Sequence, residues 1–98
     1  MNNHALGMVR QWQKLFYGRR FSQTNVRKKA DYVRFAESVG ATGLVIEKDE
    51  DIVPVLTTAF AAKTPVLVDC RISNDENVLP MIKPGATYDT IITEWEEK

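Results

Sequence analysis

Gly43-Leu-Val-Ile-Glu47 and Val66-Leu-Val-Asp-Cys-Arg-Ile72 are two short apolar runs rich in branched side chains, and their reading decides the fold. Each has the length of a strand. Between them, Asp49, Glu50 and Asp51 put negative charge where a helix N-terminus is electropositive. Ile52, Val53, Leu56, Ala59 and Phe60 follow at spacings that make one buried helical face. Pro54 is tolerated only near a first turn, which places the helix start at Glu50 or Asp51. Strand, helix and strand at this separation form a βαβ unit with parallel strands and a right-handed crossover. Two such strands need cover on both faces and leave two open edges, so the unit reads as the trailing part of a larger sheet.

Outward from this unit, Tyr32, Phe35, Ala36 and Val39 share a helical stripe that ends at Gly40. Met8, Val9, Trp12, Leu15 and Phe16 make an earlier stripe, with Gly18 as its stop. The stretch from Arg19 to Lys29 is polar, basic and aperiodic, as an exposed loop is. After Ser73 the periodicity stops. Asp75 to Gly85 holds Pro80, Pro84 and Gly85 and reads as an irregular surface segment, and Glu94 to Lys98 as a frayed or disordered acidic end.

At 98 residues, 44% hydrophobic and 27% charged, the chain makes one soluble domain at most. A domain of this size buries roughly 60–65% of its unfolded surface. A two-domain enzyme is excluded. The formal charge is zero, which argues against a life on nucleic acid or anionic membrane. That zero averages two unlike parts: residues 1–30 carry seven basic residues and no acid, whereas residues 31–98 carry six basic and thirteen acidic ones. Cys70 is a lone cysteine and makes no intramolecular disulfide, and no apolar run approaches the ~18 residues of a membrane span. The expectation is a cytoplasmic protein.

Most catalytic constellations are missing. There is no Cys/His cluster for zinc, no glycine-rich phosphate loop and no serine elbow, and Cys70 within an apolar strand reads as inert packing. The N-terminus differs. Asn2, Asn3, Ala5 and Gly7 lead directly into a helix and concentrate amide oxygens and backbone groups at its start. Such an end suits an anion together with a hard cation such as Mg²⁺. On spacing alone, capping of the helix by Asn2 or Asn3 ranks above metal ligation. Arg19 and Arg20 with Trp12, Phe16, Tyr17 and Phe21 could also be read as a stacking patch for single-stranded RNA, but these aromatics fall on a stripe expected to be buried.

Asn2-Asn-His-Ala-Leu-Gly-Met-Val-Arg-Gln-Trp12, followed by Leu15-Phe-Tyr17 and Arg20-Phe-Ser22, closely resembles the catalytic subunit of the acetolactate synthase (acetohydroxyacid synthase) family. The likeness continues through Phe35-Ala-Glu-Ser-Val-Gly-Ala41, Val45-Ile-Glu-Lys48 and Glu76-Asn-Val-Leu-Pro-Met81, and so covers nearly the whole chain. The resemblance implies the C-terminal part of a three-layer α/β thiamine-diphosphate-binding fold, with residues 1–98 as one partial domain and no second domain. It implies Mg²⁺ bound by the Asn3 side chain and the Ala5 backbone carbonyl. Asn3, Leu6, Gly7 and Met8 would contact thiamine diphosphate, and Met8, Val9 and Trp12 would line the substrate pocket. The family joins a two-carbon unit from pyruvate to a second 2-keto acid in branched-chain amino-acid biosynthesis. Residues from about Leu6 to Phe21, with the C-terminal tail, resemble mobile pieces that close over the cofactor.

The departures define the remaining expectations. The family's Gly-Asp-Gly, which supplies the second side-chain metal ligand, stands some 24–27 residues before the asparagines, where this sequence has nothing. The domain carrying the activating glutamate and the domain that holds FAD in the family have no counterpart here either. No catalytic residue is therefore expected within the chain, and it is expected to be inactive alone. The partners implied are a separately encoded front part of the enzyme or a homodimer mate, with no membrane and no nucleic acid. The alternative is a stand-alone module that binds an anion or RNA through its basic N-terminal thirty residues.

Overall fold

In a computed structural model the two apolar runs pair as expected. The structure describes residues 1–26 and 30–94. Of the basic loop, Arg27, Lys28 and Lys29 lie outside the described residues, as does most of the acidic end, Trp95 to Lys98. The elements run α1 (Gly7–Phe16), α2 (Tyr32–Ser38), β1 (Thr42–Ile46), α3 (Asp49–Ala61) and β2 (Val66–Cys70), with a short 3₁₀ turn at Tyr88–Thr90 in the tail.

β1 and β2 are parallel, in a register that runs from Thr42 opposite Val66 to Ile46 opposite Cys70. β1 stops before Glu47 because the next helix claims the backbone: the Asp51 carboxylate accepts from the N–H groups of both Glu47 and Lys48 at 3.2 Å. That carboxylate sets the start of α3 at Asp49, one or two residues earlier than the expected Glu50 or Asp51, and Pro54 falls in the second turn rather than the first. β2 is likewise shorter than the apolar run. Arg71 continues it only as a single bridge, and the bridge is to Asn2, which lies parallel on the outer edge of β2.

α2 opens with Asp31, whose side chain accepts from the Arg34 N–H. Gly43 lets this helix lie on the sheet. A Cβ at that position would stand 2.6 Å from Val33 Cα and 2.8 Å from its carbonyl oxygen. Gly18 and Gly40, placed as stops in the sequence, both take the left-handed conformation, at φ +60° and +77°.

The expected burial of the helical stripes is where the structure departs. The described buried apolar residues are Leu15, Ala36 and Ile46. On α3, Ile52, Val53, Leu56 and Phe60 are exposed, Phe60 at 87%, and Ala59 is half-buried. On α2, Ala36 is buried while Tyr32, Phe35 and Val39 are exposed. The accessible surface is 7767 Å², against roughly 5,700 Å² for a compact monomer of this mass. About half the unfolded surface is buried, less than the 60–65% expected from chain length. The radius of gyration, 17.4 Å, likewise exceeds the ~13 Å of a compact hundred-residue domain. The apolar stripes are genuine, but the described chain does not cover them.

α1 is turned over. Its buried residues are Arg10, Gln11, Lys14 and Leu15, while Met8, Val9 and Trp12 on the apolar stripe face outward. The cause lies in the tail. Residues 74–78 lie in no helix or strand that would pair their backbone, so buried side chains of α1 do it. Arg10 Nε donates to the Asn74 carbonyl at 3.1 Å and Lys14 Nζ to the Asp75 carbonyl at 3.1 Å. Gln11 takes both sides of Val78, donating to its carbonyl at 2.9 Å and accepting from its N–H at 2.7 Å. The irregular segment is thereby strapped along the polar face of α1.

Residues 19–26 form the expected exposed loop, with Thr24 as its one buried residue. They fold back on the N-terminus, where Leu6 N–H donates to the Thr24 carbonyl and Val26 N–H to the His4 carbonyl. Thr24 is 2% exposed, and its hydroxyl donates to Gln13 Oε1 at 3.0 Å.

Candidate cofactor site

The N-terminal residues are held by the end of β2. Asn2 N–H donates to the Cys70 carbonyl at 2.7 Å, and Ile72 N–H donates to the Asn2 carbonyl at 3.0 Å. The side chain of Asn2 is fixed as well: Nδ2 donates to Asp69 Oδ1 at 2.8 Å, and Oδ1 accepts from His4 N–H at 3.1 Å. Asn3 Oδ1 accepts from Ala5 N–H at 3.1 Å. Two successive side-chain turns thus surround His4, which takes a left-handed φ of +53°.

Neither asparagine caps α1. The N-cap is Leu6, with no side-chain hydrogen bond, and the first turn carries no acidic residue. The capping reading, ranked first on spacing, is overturned, and the opening N–H groups of α1 stay free of a side-chain cap. Gly7 begins the helix because Asn3 needs the space. A Cβ there would lie 2.5 Å from Asn3 Nδ2.

Asn3, His4 and Ala5 line a cleft of about 330 Å³ with Asn2, Val26 and Tyr32. Met8, Val9 and Trp12 line a separate open groove of about 940 Å³ on the apolar face of α1, with Gln13, Phe16 and Arg20. Trp12 and Phe16 meet edge to face, with ring centroids 6.2 Å apart. Leu6, half exposed, sits at the junction between the metal candidates and the helix. The structure therefore groups Asn3 with Ala5, and Met8 with Val9 and Trp12, on consecutive stretches of chain. Among the described residues, no three His, Cys, Asp or Glu side chains cluster as a metal site.

Sequence reasoning passed over Asp69. It is 6% exposed and bonded to Asn2 and, through its other oxygen, to Arg71 Nε at 3.4 Å; Arg71 pairs in turn with Glu47. An acid interrupting an otherwise apolar strand was the available signal.

The model of the thiamine pyrophosphate enzyme C-terminal TPP-binding domain matches residues 1–70, which takes in the asparagine turn, α1 and the whole βαβ unit. The chain belongs to this thiamine pyrophosphate enzyme family. The match fits a mixed α/β structure with two parallel strands and three helices. Among curated relatives of this family member, acetolactate synthase of Mycobacterium bovis is 43% identical over 93% of the chain. The acetolactate synthase large subunit of Haemophilus influenzae is 39% identical over all of it, and the mitochondrial catalytic subunit of Saccharomyces cerevisiae 37% identical over 94%. The chain spans 16%, 18% and 13% of these relatives' lengths, respectively. No helix of the described residues is long and apolar enough to cross a membrane.

The TPP-binding assignment can be tested against the residues present. A diphosphate with a hard divalent cation asks for neutral oxygen donors beside free backbone N–H groups. Asn3 Oδ1 holds one hydrogen bond and keeps a second lone pair, and among the described residues no donor reaches the Ala5 carbonyl. The uncapped start of α1 follows two residues later. The residues fit the group.

Proposed function

We propose that residues 1–98 form one partial diphosphate-binding domain of an acetolactate synthase-type enzyme. The observation that carries this reading is the asparagine turn, which places Asn3 and Ala5 together in the lining of one cleft just ahead of the uncapped helix α1. Asn3 and Ala5 would hold Mg²⁺, and the first turn of α1, from Leu6 through Gly7 to Met8, would receive the diphosphate. When bound, thiamine diphosphate supplies an electron sink for decarboxylation of a 2-keto acid and its joining to a second one. This chain's own contribution is to bind and orient. Met8, Val9 and Trp12 offer an apolar wall that excludes water from a small keto-acid acceptor.

The partner would be a front part of the enzyme, which brings the remaining metal ligand and the catalytic residues, or a second copy of this chain as a homodimer mate. A cytosolic setting agrees with the single unpaired Cys70. The chain alone makes no acetohydroxy acid from pyruvate with thiamine diphosphate and Mg²⁺, and product formation by the purified polypeptide would refute that part of the proposal.

A second reading has one observation in its favour. The aromatics expected to be buried are partly exposed, and Trp12, Phe16, Tyr17 and Arg20 share the groove, as an RNA-stacking surface requires. Phe21 is withdrawn from it, since its ring lies 3.9 Å beneath the Arg10 guanidinium. Calorimetric titrations with Mg²⁺–thiamine diphosphate and with single-stranded RNA separate the two. Saturable binding of the cofactor supports the enzyme reading; tight RNA binding that weakens steeply with salt supports the module.

A further inference from the structure

We propose that Asp69 is a positioning residue for the cation–diphosphate site, acting through Asn2 to fix the turn that presents the Asn3 side-chain oxygen and the Ala5 carbonyl. The inference rests on the roles proposed above for Asn3 and Ala5. A carboxylate as buried as Asp69 is retained only with good partners. One of its partners, Arg71, is shared with Glu47 and is 45% exposed. The other is the Asn2 amide at 2.8 Å.

That second bond dictates an orientation. A carboxylate only accepts, so it must face the Nδ2 end of Asn2, and the Oδ1 end is thereby turned toward His4 N–H. Asn2 is meanwhile pinned to β2 by its own N–H and carbonyl, which fixes its register against Cys70 and Ile72. Backbone and side chain together hold the left-handed kink at His4, and the kink sets where Asn3 and Ala5 face the cleft. Without the acceptor at position 69, the Asn2 amide is free to rotate and the turn loses its lock. Asp69 touches neither ion nor diphosphate in this scheme. Its charge is dispensable, and its acceptor oxygen is not.

The test uses the ¹⁵N-labelled 98-residue chain with thiamine diphosphate and Mn²⁺, whose paramagnetism broadens nearby amide signals. In the native chain the Ala5 backbone and Asn3 side-chain signals should broaden first. Asp69→Leu removes the acceptor, and Asn2→Ala leaves the carboxylate in place but removes its client. Each should require at least tenfold more Mn²⁺ for the same broadening. Asp69→Asn keeps an acceptor oxygen and should need no more than threefold. If Asp69→Leu yields an unfolded spectrum, Asn2→Ala carries the comparison. Broadening of both variants at the native Mn²⁺ concentration overturns the positioning role while leaving the cation site intact. Loss in Asp69→Asn equal to that in Asp69→Leu also overturns it, in favour of a direct effect of charge. Failure of the native chain to broaden at Asn3 and Ala5 overturns the cation site itself, and the inference with it.

Discussion

Arg10 shows how much of this molecule turns on single side chains. Its guanidinium reaches Asn74, Asn25 and Asp75 and stacks on Phe21. Arg10→Met keeps the apolar stem and removes the donors; it should cost about 2 kcal/mol in chemical denaturation, given that the Asp75 end is half exposed. The hydrogen bond from Arg10 also holds the Asp75 carboxyl below its usual 3.8. A depressed folded value means stability that is present above the unfolded value and lost as pH falls through the folded one. The strap should therefore loosen below about pH 4, seen as loss of protection at the Val78 amide, and Arg10→Met should remove that pH step. Gly7 offers a cleaner separation of site from fold. Gly7→Ala gains helix propensity, which keeps stability within about 1 kcal/mol of the native chain. The new Cβ displaces the Asn3 amide, so Mg²⁺–thiamine diphosphate should bind roughly fivefold more weakly or worse by calorimetry, about 1 kcal/mol.

Among the elements, those with their own period were legible and those defined by a distant neighbour were not. The strands of the βαβ unit and the three helices stand within a residue or two of their expected places, because apolar spacing and glycine stops are local facts. The orientation of α1 was not legible. A stripe reports that one face of a helix is apolar and says nothing of what lies against the other, and here the tail more than sixty residues away decides it. The same limit applies to the site. Asn3 and Ala5 are neighbours in sequence and could be grouped on sight, whereas Asp69 reads as a polar interruption of a strand until Asn2 is seen on the sheet edge. The contact between α2 and β1 gives a direct check on element packing. Gly43→Ala meets Val33 backbone, which cannot swing aside as a side chain can, so it should destabilise by about 1–3 kcal/mol in a urea titration.

At the scale of the whole molecule, the exposed faces of α2 and α3 dominate. Single exposed apolar residues are ordinary, but Val53 and Phe60 share an uncovered helix. The double variant Val53→Glu/Phe60→Glu should reduce self-association in sedimentation velocity while changing folding stability by no more than about 0.5 kcal/mol, since little native contact is removed. The separation of bonded residues along the chain sets the order in which the molecule assembles. Asn2 bonds to Asp69, and Arg10 to Asp75, across 67 and 65 residues respectively, whereas β1 and β2 join across a single crossover. Closing a loop that long before the sheet exists costs chain entropy that one or two hydrogen bonds do not return. The βαβ unit should therefore form first, and substitutions at Asn2 or Arg10 should leave the folding rate nearly untouched while accelerating unfolding, with φ values close to zero in stopped-flow kinetics. The segment richest in chemistry is the last to find its place.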